Sequence, residues 1–513
     1  MTSTESDMTS FRLLDVPSEL LVHILTFLSN ADLDACEHSS PLLAEFIKSS
    51  VELQYLKALG VAQLIDNPIS VLPLVDRLAA LRARESAFLK VKPSWKRSFA
   101  VNFVAAGLYE LSAGFFFLGE FSRRALRYLK LPRELAPAGD GAPPVEWERI
   151  ALKTDTAIII DFGLAIEEHD LIVIATFNPR RPVEERGPPG SSRAGLPLEG
   201  EVRLEFLSIS TREPHPQARG PIQVEVSHWG LPNVILETVG DHVVFAVSYA
   251  HEGRLNDNVY IYQWRTGKLV KMITAERRTY FGAVFLSTDV VLLPNTSAAT
   301  LELWQISSDE DTPALTLHLP RIVPGVQIRL MTARGEPNPS ASPLRKDPHT
   351  PFSTSADNSI IIFHINFPIH QFLLFIHRRS LLALLAAHPA NIGPLAYAEW
   401  GPNLCRWLNA AGVNTDWITT TSGQRCVLLP TRAPSPFFLL DFNPLNTPVG
   451  EAARRLPPDD DPFSMDHGIW AETVGSRLEC HVAGGMQQFA GYSGASLDDE
   501  RIIALRVKTC CVT

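Results

Sequence analysis

An α+β multidomain architecture is predicted for this 513-residue chain, with short helices at the N-terminus followed by a large all-β domain. Three observations predict it. Apolar residues recur at helical spacing through the first part of the chain. From about Trp95 the period changes, and short β-rich runs alternate with turn clusters. Three of those runs are alike position by position. The length suits one small domain and one large β domain, and a hydrophobic content of 45 % supplies the core.

The helices come first. In Leu14–Leu28, Pro17 suits the first helical position, where its fixed φ helps and its missing N–H costs little. Glu19 follows in the first turn, where a negative charge meets the positive end of the helix dipole. Leu21, Ile24, Leu25 and Leu28 fall at i, i+3, i+4 and i+7, the spacing of one apolar face. Ser29-Asn30 ends this helix, and Leu33 and Cys36 give a second short stripe. Ser40-Pro41 restarts the chain as a third helix carrying Leu42, Leu43, Phe46 and Ile47. Three helices this short cannot enclose a large core, so their apolar faces suit a partner.

This stretch resembles the F-box, the helical module that ties substrate receptors to the small adaptor of cullin-based ubiquitin ligases. The matching residues are Pro17, Glu19, Leu20, Ile24, Leu25, Leu28, Leu33 and Cys36. Val16 stands where the family has its first Leu, and the Trp often found in the third helix is absent, with Pro41-Leu42-Leu43 in that region. The resemblance implies adaptor binding through Pro17, Glu19, Leu20, Ile24, Leu25, Leu28 and Leu33. The segments Ser50–Tyr55, Asp76–Glu85, Trp95–Arg97 and Tyr109–Gly114 resemble the region after the F-box in fungal F-box proteins, which implies a fungal, mushroom-type source.

The expected organisation is a disordered tail over 1–10, the F-box over 11–50, a helical connector over 51–94 and the β domain over 95–513. In the connector, Leu53, Leu56 and Leu59 share a face, as do Leu74, Leu78, Leu81 and Phe88. Gly60 marks the stop of the first connector helix and Pro73 the start of the second.

Predicted strands in the β domain are Thr156–Phe162, Leu171–Thr176, Val202–Ile209, Val243–Tyr249, Val259–Trp264, Val290–Leu293, Leu301–Ile306, Ile360–Ile365, Phe372–His377, Val427–Leu429, Phe437–Phe442 and Arg501–Val507. Such spacing fits a sandwich, a barrel or a propeller. Internal similarity favours the last. Leu204–Ile209, Val259–Trp264 and Leu301–Ile306 align, each after a strand opening on an aspartate (Asp170, Asp241, Asp289). Their offsets of 55 and 42 residues are close to the about 40–50 residues of one four-stranded blade. A diverged β-propeller of six or seven WD-repeat-like blades is therefore expected, without the Gly-His and Trp-Asp marks. Insertions at 179–200, 333–351 and 443–461 are Pro-rich and unable to bury enough apolar surface to order themselves. Arg378–His388 reads as a helix capping a propeller face.

Charge and motifs narrow the function. The net charge of −10, from 46 basic and 56 acidic residues, argues against nucleic acid as a partner. The basic pairs Arg123-Arg124, Arg180-Arg181, Arg277-Arg278 and Arg378-Arg379 read as solvated edges. Six scattered cysteines suit a reducing compartment, and neither a targeting peptide nor a clean membrane span is visible; a soluble cytoplasmic or nuclear protein is expected. No nucleotide loop or His-Glu-x-x-His is present. Gly491–Ala495 fails as a nucleophile elbow, Cys480-His481 reads as a core thiol beside a surface imidazole, and Asp459–Asp461 as a solvated turn. The Asn295-Thr-Ser297 sequon carries no meaning without a secretory signal. Cys510 fits a C-terminal lipidation pattern only loosely. The expectation is a non-catalytic receptor subunit of a ubiquitin ligase, without cofactor or metal, holding an unknown target protein on its β domain. The alternatives are a scaffold acting outside a ligase and a propeller hydrolase, for which Asp170, Asp241 and Asp289 are the candidate carboxylates.

Overall fold

A computed structural model of the chain describes residues 13–132, 146–154, 156–180, 198–228, 233–248, 256–342, 344–388, 393–415, 419–431, 437–446, 453–456, 468–484 and 492–506. They divide into two compact units. One is the chain up to Phe88 together with Lys346–Ser353, and the other is Leu89–Arg345 with Thr354 onward. The expected tail, the centres of the 179–200 and 443–461 insertions, Asp459–Asp461, Gly491 and Cys510 lie outside the described residues.

The first unit is helical: α1 Ser18–Leu25, α2 Asn30–Ser39, α3 Pro41–Ser49, α4 Val51–Ala62 and α5 Leu74–Leu89. Pro17 is the residue before α1, with φ −49° and ψ 143°. Ser29 caps α2 by accepting the Asp32 amide at 3.2 Å, and Ser50 caps α4 by accepting the Leu53 amide at 3.4 Å. Leu21, Leu25, Leu33, Ile47 and Leu53 form the core between α1 and α4. Each such burial is worth about 1.5–3 kcal/mol. The single apolar face expected on α1 is split. Leu21 and Leu25 point inward and Leu28 packs on the core edge, whereas Ile24 points out.

Gly60 is not a helix stop. It lies inside α4, where any side chain would strike Asn30, whose Nδ2 donates to the Lys57 carbonyl at 3.0 Å. The helix runs on to a left-handed Gln63.

Of the stretch expected as a Pro-rich insertion at 333–351, the described residues, 333–342 and 344–351, take hydrogen bonds from elsewhere in the chain. At its far end, Asn67 donates from Nδ2 to the Asp347 and Thr350 carbonyls at 3.1 and 2.6 Å and from its amide to Pro351. Tyr55 Oη donates to the Pro351 carbonyl at 3.2 Å. Phe352 joins Tyr55, Leu59, Leu78 and Leu81 in a second small core.

The second unit is a six-bladed β-propeller of antiparallel blades, the first five of them meanders. Blade 1 comprises Ala105–Ser112, Phe115–Glu120, Ala125–Lys130 and Glu148–Ala151; blade 2 comprises Ile158–Ala165, Leu171–Pro179, Leu198–Ser208 and Ile222–His228. Blade 3 is Asn233–Val239, His242–Ser248, Asp257–Gln263 and Lys268–Ala275, and blade 4 is Val284–Phe285, Val290–Asn295, Thr300–Gln305 and Leu315–His318. Blade 5 is Leu330–Arg334, Ile360–Asn366, Gln371–His377 and Cys405–Asn409. Blade 6 is Thr421–Ser422, Arg425–Leu428, Phe438–Asp441 and Cys480–Gly484, with Ala453–Leu456 on its outer edge. A two-stranded sheet, Gly494–Leu497 with Ile502–Leu505, closes the ring. Its first strand lies against blade 6, and Ile503 and Leu505 pack on the Leu111–Phe116–Leu129 cluster of blade 1.

The cores lie between blades, so most strands are buried on both faces. In His242–Ser248, Val243, Phe245 and Val247 face blade 2, while Val244 and Ala246 face blade 4. That is why these strands read as near-continuous apolar runs. The repeat alignment holds to the level of single bonds. The amides of Ile209, Trp264 and Ile306 donate to the carbonyls of Asp170, Asp241 and Asp289, at 2.9, 3.0 and 2.8 Å. Blade 1 lies wholly outside the predicted strands. Leu381, in the helix Arg378–Ala387, joins the core between blades 4 and 5.

Candidate functional site

Two places concentrate unusual chemistry, one in each unit. Beside the exposed Ser18 and His23 of α1 runs an apolar stripe: Leu20 is 54 % exposed, Ile24 43 % and Phe27, just past the helix, 78 %. Pro17 and Glu19 are also exposed. The neighbouring Leu25 is 2 % exposed and Leu33 0 %. Of the residues expected to meet a partner, Pro17, Glu19, Leu20 and Ile24 lie on the surface and Leu28 is half-buried. Leu25 and Leu33 are inside, where they set the packing that presents the others. Phe27 was not among the expected residues, although its place three after Ile24 puts it on the outward side.

In the propeller, the first strand of each blade lies innermost, and the innermost strands bring acids together. Arg334, on blade 5, reaches across. Its Nη2 pairs with Glu110 Oε1 of blade 1 at 2.5 Å and its Nη1 with Glu237 Oε1 of blade 3 at 2.8 Å. Nη2 also pairs with Glu336 Oε1 at 3.0 Å. Asp161 of blade 2 belongs to the same field; a register shift that skips Ile160 precedes its pairing with Ala175. Burial pushes the Asp161 carboxyl up to about 8, helped by the Glu110 and Glu237 charges and opposed by the Phe162 amide and Arg334. Glu336 is pushed up to about 8 by burial and by the same two glutamates, against the pull of Arg334. Burial likewise raises Glu110, with Arg334 opposing. This convergence was invisible in the sequence, which pointed instead to Asp170, Asp241 and Asp289.

Those three aspartates fasten turns. Asp170 accepts the Ser210 amide at 3.0 Å and the Ser208 and Ser210 hydroxyls at 2.5 Å each. Asp289 accepts the Ser307 amide and hydroxyl at 2.8 and 2.7 Å. Asp241 pairs with Arg265 at 3.1 Å. In each case the partner lies just past the third strand of the same blade, so the aspartate ties that strand's end to the start of the second strand.

The expected solvated pair at Arg378-Arg379 is half wrong. Arg378 is fully buried, donating from Nη1 to the Pro337 and Ala356 carbonyls at 2.7 and 2.6 Å and to Ser359 Oγ at 2.6 Å. Its Nη2 donates to the Gly335 carbonyl at 3.1 Å. Burial brings its pKa down to about 10. Its role is to hold the backbone on which Glu336 sits. His481 is buried too, directly across the sheet from Asp441, because both faces of that strand are covered. Among the described residues no group of three or more His, Cys, Asp or Glu side chains is arranged to hold a metal ion, and no helix is long and apolar enough to cross a membrane.

No protein-family model and no curated protein matches the chain. Among solved structures it is similar to the WD40 domain of coronin from Toxoplasma gondii, at 8 % identity and a TM-score of 0.39, over 81 % of this chain and 96 % of that one. It is also similar to BamB from Moraxella catarrhalis, at 10 % identity and a TM-score of 0.32, over 75 % and 99 % of the two chains. At such values the architecture is read from this chain's own sheet order, and that order is a β-propeller's.

Proposed function

We propose that this chain is a non-catalytic interaction protein, a substrate receptor that couples a target held on its propeller to a cullin-based ubiquitin ligase through its helical unit. The observation that supports it most is the outward apolar stripe of Pro17, Leu20, Ile24 and Phe27, on a unit whose core is complete without them. Exposed apolar side chains grouped this way suit a protein partner, and Pro17, Leu20 and Ile24 are positions of the F-box pattern. The mechanism is tethering, which raises the effective concentration of target near the transfer machinery. A second reading, a hydrolase acting in the propeller channel, draws on the convergence of Glu110, Asp161, Glu237 and Glu336. Arg334 already engages three of these four, which favours a structural role.

The test is affinity purification of the full chain and of a Leu20→Asp, Ile24→Asp variant, with bound proteins identified by mass. Both changes fall on the surface, so the core is untouched. The expected result is selective loss of adaptor and cullin, with propeller-bound partners retained. Adaptor retained by the variant, or never captured by the wild type, would refute the reading.

A further inference from the structure

Residues 335–342 leave the innermost strand of blade 5 and run across to blades 3 and 2. Asn338 Nδ2 donates to Glu237 Oε2 at 3.2 Å. The Ala341 and Ser342 amides donate to Glu168 Oε1 of blade 2 at 2.6 and 3.1 Å. The other Glu168 oxygen accepts the Gly240 amide at 2.9 Å. The segment is therefore a strap: Arg378 and the Gly423 amide hold its start at Gly335–Pro337, and the carboxylates of Glu237 and Glu168 hold its middle and far end.

The charged groups around it come from every neighbouring blade. Blade 1 supplies Glu110; blade 2 supplies Asp161, Glu168 and His169; blade 3 supplies Glu237, with Asp241 and Arg265 beside His169. Blade 5 supplies Arg334 and Glu336, with Arg378 and Asp357 behind them. At the centre, Glu110, Glu237 and Glu336 pair with Arg334 and Asp161 lies in its field; Arg378 adds a second positive charge beside Glu336, its hydrogen bonds going to carbonyls and to Ser359. Burial and the neighbouring carboxylates favour the protonated forms of Glu110, Asp161 and Glu336.

We propose that 335–342 is a latched strap whose closure depends on the shared protons of this cluster, shut in neutral and mildly acidic medium and loosened in mildly alkaline medium. Asp161 and Glu336 both sit at about 8, so both ionise over the same narrow range. Glu336 lies on the strap itself. Its charge then repels Glu237, the group that holds Asn338, and drives the strap off its seat.

Amide hydrogen exchange read by mass spectrometry on the full chain tests this, at pH 6.5 and 8.5 and corrected for the intrinsic rate at each pH. Protection of the Ala341 and Ser342 amides, which donate to Glu168, is expected to fall at least tenfold at the higher pH. In Asp161→Asn, Glu336→Gln the fall should vanish. Unchanged protection in the wild type would overturn the proposal, as would an equal fall in the double variant. Should the double variant lose its near-ultraviolet dichroism, Glu336→Gln alone decides: a fall as large as the wild type's overturns the proposal, and a smaller one supports it.

Discussion

Replacing Arg334 by Met removes the one guanidinium that joins blades 1, 3 and 5, while keeping most of the side-chain volume. Three ion pairs, at 2.5, 2.8 and 3.0 Å, go with it. Breaking a buried pair by removing one partner costs about 3–5 kcal/mol, because the other charge is left uncompensated. Here the carboxylates have an escape, since they can take up protons. Glu110 and Glu336 are already held above the usual carboxylate range by burial, against the pull of Arg334; without it they rise further. The loss should therefore approach the full about 3–5 kcal/mol at pH 8 and shrink markedly at pH 5. Urea unfolding at the two pH values, followed by far-ultraviolet dichroism, measures it. A loss below about 1 kcal/mol at pH 8, or one equal at both pH values, would refute the reasoning.

Two further predictions follow from single sites. Gly240 has φ +56° and faces Ala341, so a methyl there would sit 3.1 Å from the Ala341 Cβ; the left-handed backbone alone should make Gly240→Ala cost about 1–2 kcal/mol in a thermal melt, and a neutral result would mean that Gly240 does not hold that conformation. His364 is brought down to about 4 by burial alone, so the folded state resists its protonation while the unfolded chain accepts it below about 6.5. Stability from this group is present above that value and lost as pH falls towards 4, so the urea midpoint of His364→Leu relative to wild type should rise from pH 7 to pH 5. A constant difference would refute it.

The helices and the propeller repeat were legible because each is written in local periodicity. Apolar spacing marked α1–α5, and the alignment of Ile209, Trp264 and Ile306 survives as matching hydrogen bonds to Asp170, Asp241 and Asp289. The channel cluster was not legible, because it is made by ring closure. Arg334 and Glu237 are 97 positions apart, and nothing near either residue hints at the other. The strap was misread for a related reason. Its own composition cannot order it, but Glu168 and Glu237 hold it from elsewhere in the chain, as Asn67 holds the carbonyls of Asp347 and Thr350 further on. Ile24 and Leu25 were placed on one face because a stripe of apolar residues does not reveal which side of a helix the rest of the unit will cover.

The helical unit takes in Lys346–Ser353, a peptide that reaches it only after most of the propeller has been spelled out. During synthesis, at about 5–20 residues per second, α4 and Asn67 would leave the ribosome tens of seconds before their last partner exists. Until then Tyr55, Leu59, Leu78 and Leu81 lack Phe352, and the nascent N-terminus is an open surface for chaperones. A fragment ending near residue 94 would keep that incompleteness for good, so the module that looks most separable in the sequence is the one that cannot be cut out whole.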